Sequence, residues 1–420
     1  MDAADVGPIP PERRTQSALD LFLVFAGANI VATTLQTGAS LAGAFSFRSA
    51  MVLIAAGTLG GSLLVGALAG LGPRLGVPSV IAARAALGMR GAGLVALLLY
   101  VMNFAWIAVN NVIAASACAR VWGGPGSETW WAAVLGVAST LVVAGGPTLV
   151  VRADRLAVPL LAVVGVGMTV GAFRLQAVAA PQPLFSTMPW TSGLDIVVGY
   201  QVSWLLMFSD YSRYTRSGTK ASVAVFAGLA MTSRWLMPIG RAAALAAGSA
   251  EPGAMLAALG LGTSGAVLMA VSTLTTNFVN IYMSGLALRS IAPGAGDRLA
   301  IWSTGLIGAA LGVLPGIWLD RYAGFMVVLG GLLVPVGGVL LARFLFGNEV
   351  ATGELYDRGG RFARLGGFDP AGVAAWAAGS ATYYLAAGSI GGTLPSLVVA
   401  VVVWWTLSRL RRQGGALEAA

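Results

Sequence analysis

Apolar residues run through this chain in long blocks separated by short polar joints. Twelve such blocks can be read, at about 19–42, 50–72, 92–120, 131–151, 155–175, 194–212, 221–247, 263–290, 299–319, 322–346, 369–390 and 392–410. Each is close to the ~20 residues a helix needs to cross a bilayer. The blocks are too long and too evenly apolar for barrel strands, which alternate polar and apolar positions. Helices satisfy their own backbone where no water is available, so the pattern predicts an all-α membrane protein.

Composition strengthens that picture. Of the 420 residues, 57% are hydrophobic and only 10% are charged, against about 25% charged in soluble domains. An ordinary cytosolic enzyme, a disordered chain and a secreted disulfide scaffold are excluded. The net charge of +9 does not point to nucleic acid, because the basic residues sit between apolar runs. With both termini inside, the outer loops carry only Arg48, Arg120, Arg174, Arg241 and Arg321, and nearly all other basic residues fall inside. This bias sets the expected topology of an even number of spans with cytoplasmic ends. The N-terminus begins with an acidic, Pro-rich stretch and lacks the basic start of a cleaved leader.

The expected organisation is a tail over 1–18, a ten-helix core over 19–346, a cytoplasmic loop over 347–368, two accessory helices over 369–410 and a tail over 411–420. Ten core helices divide into five plus five, 19–175 and 194–346, the arithmetic of inverted-repeat transporters. The split between the ninth and tenth spans is placed at Asp320-Arg321.

Chemistry is sought where the membrane interior is polar. The first span holds Gly27-Ala28-Asn29, where a glycine beside an asparagine weakens helix continuity. A break there exposes carbonyls to a cation or polar solute; close packing of small residues is the plainer alternative. In the third span Trp106 and Asn110 share a face and offer a flat indole beside an amide edge. In the sixth, Gly199-Tyr200-Gln201 reads as a second break, and Asp210 with Arg213 as an ion pair at the helix end. The eighth span is dense in hydroxyls and amides, with Ser272, Thr275, Thr276 and Asn280 near one face. Such residues commonly bond back to the preceding turn, but this density favours neutral oxygens for a monovalent cation.

Other chemistries find little support. No histidine is present, Cys118 is the single cysteine, and no Ser/His pair or paired intramembrane carboxylates appear, so an intramembrane enzyme is not expected. No cofactor is implied. A P-loop of the form GxxxxGK[ST] is missing, so transport would draw on an ion gradient. A channel is the other non-enzymatic alternative.

The segments Phe208-Ser209-Asp210-Tyr211-Ser212-Arg213-Tyr214, Ser272-Thr273-Leu274-Thr275-Thr276-Asn277 and Ser79 to Gly91 resemble the nucleobase–cation symporter family, the purine–cytosine permease-like group. Within it, the chain is similar to the bacterial branch for cytosine and hydroxymethylpyrimidine uptake. The resemblance implies a leucine-transporter-like fold with first and sixth helices broken at mid-membrane, in a multi-pass protein of the bacterial inner membrane. It implies a substrate site at Asn29, Trp106, Asn110, Asn280 and one of Gly199, Tyr200 or Gln201. A cation, sodium in preference to a proton, would use carbonyls near Gly27 and Ala28 with Ser272, Thr275 and Thr276. Relatives often place a Trp at the sixth-helix break; here Tyr200 or Gln201 stands about there, and the nearest Trp is Trp204. The implied cargo is a planar heterocycle such as cytosine, hydroxymethylpyrimidine or another thiamine precursor, or a purine. Proton-coupled uptake of allantoin or a hydantoin is the alternative.

Overall fold

The first apolar block folds as two helices. In the computed structural model, which describes residues 6–124, 126–146, 149, 163, 165–174 and 188–417, α1 (Ala18–Asn29) opens on a capping box. The Ser17 side chain accepts the Asp20 N–H, and the Asp20 carboxylate accepts the Ser17 N–H at 2.9 Å. The chain leaves helical geometry at Ile30 and is extended at Val31, then resumes as α2 (Ala32–Ala39), bent 58° from α1. The interruption falls immediately after the Gly27-Ala28-Asn29 run.

The following elements are α3 (Phe47–Ala69), α4 (Leu71–Leu75), α5 (Ser79–Ala82), α6 (Arg84–Trp122) and α7 (Ser127–Ala144). Then come α8 (Trp190–Val202), α9 (Gly218–Ala247), α10 (Pro252–Ala258), α11 (Gly262–Ile291), α12 (Asp297–Gly312), α13 (Pro315–Asp320), α14 (Tyr322–Phe346), α15 (Pro370–Ala386) and α16 (Thr393–Leu417). Among the described residues there are no strands, only an isolated bridge between Gln16 and Thr215. Seven of these helical stretches are long and apolar enough to cross a bilayer, and the bent α1–α2 pair makes an eighth.

The remaining expected spans depart from single long helices for local reasons. Most of 155–175 lies outside the described residues; 165–174 is helical. The sixth block winds only to Val202 and continues in turns and 3₁₀ segments at Leu205–Met207 and Ser212–Tyr214. The ninth is two helices, α12 of 16 residues and α13. Pro315 has no N–H to continue α12 and instead starts α13 at its first position.

Two packings fasten the 347–369 loop and the accessory helices to the core. Gly88 in α6 has φ +79°, and a Cβ there would come within 2.8 Å of the Asp369 nitrogen. Only glycine lets the 347–369 loop close on this kink, where Asp369 N donates to Leu87 O and Met89 N to Phe362 O. The accessory pair is anchored by Asp195 of α8. Its buried carboxylate accepts from Gly392 N at 2.7 Å, Thr393 N at 3.0 Å and Thr393 Oγ1 at 2.7 Å, satisfying donors at the start of α16.

The expected N-terminal tail is laced to one end of the bundle. Ile9 N bonds Gly76 O, Gln16 N bonds Tyr214 O, and Tyr356 Oη donates to Val6 O at 2.6 Å. Arg14 donates to Ile9 O and Pro73 O. Segments near 6–17, 71–79, 205–216 and 347–369 are thereby tied into one hydrogen-bonded layer at that end of the helices.

Candidate functional site

The gap between α1 and α2 is held by side chains from distant helices. Asn29, fully buried, donates through Nδ2 to Thr232 Oγ1 and Ser233 Oγ, both at 2.7 Å. Its Oδ1 accepts from Tyr200 Oη at 3.1 Å, and Tyr200 Oη lies 2.5 Å from Thr34 Oγ1. Thr34 Oγ1 also donates to the Asn29 carbonyl at 2.6 Å. A backbone group freed by the break is thus satisfied inside the protein, as a membrane interior requires.

The second interruption is one turn later than expected. α8 continues through Gly199, Tyr200 and Gln201 and stops at Val202, where Ser203 Oγ donates to the Tyr200 carbonyl at 2.7 Å. Gly199 serves close packing: a Cβ there would meet the backbone of Met326 in α14, with its carbonyl carbon 2.9 Å away. Gln201 is committed on both ends, accepting from Ser62 Oγ at 3.1 Å and donating to Ser233 Oγ at 2.6 Å. The residue delivered at the break is Trp204.

Between the two breaks lies a cavity of about 430 Å³. Its walls include Gly27 and Ala28 from α1, Trp106 from α6, Tyr200 from α8, Trp204 at the second break, and Thr275, Thr276 and Asn280 from α11. All described lining residues are uncharged. Phe325 and Tyr200 contact Trp106 edge-on, with centroids 5.3 and 6.3 Å away, and Phe25 does the same for Trp204 at 6.1 Å. These contacts fix both indoles without covering them from the cavity. Trp204 Nε1 and Asn280 Nδ2 are buried donors with no partner among the described residues. Both residues line the cavity, and an unpaired buried donor is costly to the protein until it finds a partner.

Thr275 and Thr276 line the cavity beside the first break, and each hydroxyl donates to the Ser272 carbonyl, at 2.9 and 2.8 Å. With their protons turned back into the helix, their oxygen lone pairs remain for a cation. Ser272 itself faces a second, far smaller cavity of about 20 Å³ with Ile30, Val31, Ala32 and Gly165, and its hydroxyl is buried without a partner among the described residues.

Asn29, Asn110, Gly199, Gln201 and Ser272 do not line the main cavity. Asn110 lies too deep in the α6–α11 contact: its Nδ2 donates to Asn277 Oδ1 at 3.1 Å and its carbonyl accepts from Thr273 Oγ1 at 3.0 Å. Asn277 passes the chain on to Asn111 and Ser139. The residues that do line it but went unpredicted include Thr33, Asn103, Ser203, Trp204 and Tyr211. Asn103 carries a signal in hindsight, since it precedes Trp106 by three and so shares its face. Asp210 and Arg213 have further partners beside the charge interaction expected between them. Asp210 Oδ2 accepts from Ser79 Oγ at 2.5 Å, and Arg213 donates to Gly7 O and Tyr214 Oη.

Residues 8–408 match the family described as permease for cytosine/purines, uracil, thiamine, allantoin. The chain belongs to the nucleobase–cation symporter family. The cytosine permease of Escherichia coli O157:H7 is 26% identical to this permease over 352 residues, which cover 82% of this chain and 81% of that one. Two structures of Mhp1 share its fold. The inward-facing conformation superposes with a TM-score of 0.81 at 19% identity, covering 97% of this chain and 93% of the other. A closed form with bromovinylhydantoin bound gives 0.80 at 18%, covering 96% and 94%. The family member described here is accordingly a multi-pass membrane transporter and not an enzyme.

Proposed function

We propose that this permease imports a planar nucleobase-like heterocycle, with cytosine as the leading candidate, together with sodium by alternating access. The observation carrying this reading is the uncharged cavity in which Trp106 and Trp204 stand near the two helix breaks and Trp204 Nε1 and Asn280 Nδ2 lack partners among the described residues. An apolar cleft with a few convergent polar groups suits a flat, neutral, polar-edged guest. The similarity to cytosine permease favours cytosine within that class, and hydroxymethylpyrimidine or a purine has the same shape and edge chemistry.

Sodium is favoured over a proton. The buried carboxylates nearest the core are committed elsewhere, Asp195 to the start of α16 and Asp210 to Ser79. The hydroxyls of Thr275 and Thr276, opposite the first break, offer oxygens that need no titration. A cation held between α1 and α11 near the cavity would favour the conformation in which both approach, and coupling follows if that conformation also binds the heterocycle better. The lining lies along residues 23–28 of α1, the 99–106 stretch of α6 and residues 203–211, and the last of these run on toward Tyr214, which is bonded to the N-terminal segment. With cytoplasmic termini in the inner membrane, twelve spans and a five-plus-five repeat, that is an inward-facing arrangement.

The test is uptake of radiolabelled cytosine into proteoliposomes with sodium or choline outside at fixed pH. Saturable uptake that requires sodium supports the reading; equal uptake in choline removes sodium, and absence of uptake for cytosine and related heterocycles removes the substrate class.

A further inference from the structure

The helices α6 and α11 are joined at two levels. Near one end of the contact Asn110 meets Asn277; about two turns away Asn103 Nδ2 donates to Ser284 Oγ at 2.9 Å. Trp106 and Asn280 lie between these levels, on the cavity. Ser284 cannot reverse the second bond without cost, because its own proton is given to the Asn280 carbonyl at 2.9 Å. Its oxygen is left as an acceptor, which fixes the Asn103 amide with nitrogen toward Ser284. The opposite atom, Oδ1, has no protein donor among the described residues, and Asn103 is a cavity-lining residue.

We infer that Asn103 is a specificity-determining residue whose Oδ1 accepts a hydrogen bond from a ring N–H or exocyclic amine of the cargo. The inference rests on the proposed heterocycle site and deepens it. Trp204 Nε1 and Asn280 Nδ2 supply donors; Asn103 supplies the acceptor. A guest must therefore present both acceptors and an N–H, as an aminopyrimidinone or a lactam does. Rings whose N–H groups are all alkylated leave Oδ1 dry and unpaired and are rejected. Ser284 acts through Asn103 as a positioning residue, holding the amide in its reading orientation.

Binding of cytosine, uracil, hypoxanthine, allantoin and hydantoin, each alongside N-methylated derivatives, tests this by calorimetry on the purified full chain. In the parent protein the unmethylated ring binds more tightly than a derivative that blocks the N–H being read. Asn103→Ala should weaken the parent ring by ~10-fold while leaving that derivative nearly unchanged, so the preference collapses. Ser284→Ala keeps Asn103 in place but frees its amide to turn, and should lower the preference ratio without abolishing binding. A parent-like ratio in both variants overturns the inference while the transport reading stands. Absence of binding for every ring in the parent protein overturns both.

Discussion

The Tyr200 hydroxyl donates to Asn29 Oδ1 at 3.1 Å, joining the end of α1 to α8 beside the cavity. Because Tyr200 lines the cavity and also meets Thr34 at the start of α2, one phenol connects the ligand space to both sides of the first break. Tyr200→Phe removes a buried donor and leaves Asn29 Oδ1 and Thr34 with one partner fewer. A loss of ~1–3 kcal/mol in stability is expected, together with slower transport, read as a lower melting temperature and a reduced maximal uptake rate. Unchanged values for both would show that the break is held by other groups.

The indoles should act on affinity. Trp106→Ala or Trp204→Ala removes an aromatic surface worth ~1–3 kcal/mol to a stacked base. Equilibrium titration should give weakening of roughly 5- to 150-fold for each, and Trp→Phe should recover part of it. An affinity within twofold of the parent in both alanine variants would place the heterocycle elsewhere.

Asn110 separates structural from ligand roles. In its place in the amide chain to Asn277, Asn110→Ala should destabilise by ~1–3 kcal/mol with little change in heterocycle affinity among molecules that remain folded. Thermal melts and titrations on the same preparation check this. Loss of affinity with unchanged melting would restore Asn110 to the ligand site.

Asp195 supports the accessory helices. Asp195→Asn keeps one acceptor oxygen but gives up charge-assisted bonds to Gly392 and Thr393. A stability loss of ~1–2 kcal/mol is expected, as for a removed helix cap, with cytosine affinity retained. Proteolysis of the 387–393 connection reads the same effect locally: faster cleavage in the variant is the expected outcome, and parent-like cleavage would show that the cap contributes nothing.

Much of this architecture was legible because bilayer physics writes itself into long apolar blocks, and because Gly27-Ala28-Asn29 marks a weak point that the structure interrupts at its next residues. The second break was misread by one turn. A glycine in a helix reports that space is scarce or that the backbone bends, and the sequence does not say which; at Gly199 the space is taken by the Met326 backbone. The spacing from Trp106 to Asn110 likewise was sound helix geometry, but a face extends in both directions. Asn103, one turn the other way, faces the cavity, whereas Asn110 is consumed by Asn277. Partners such as Ser284 and Ser233 lie far along the chain, so which amides were already occupied could be decided only in three dimensions.

In the proposed function, the cavity and the Thr275–Thr276 wall bind heterocycle and sodium as one coupled pair. The most direct measurement is the cytosine affinity of purified protein as a function of sodium at fixed pH and ionic strength, repeated for Thr275→Ala/Thr276→Ala. Affinity should rise with sodium in the parent, typically 5- to 150-fold for a coupling of this kind, and become independent of it in the double variant. Equal cytosine affinity with and without sodium in the parent protein would mean that the two ligands are not coupled.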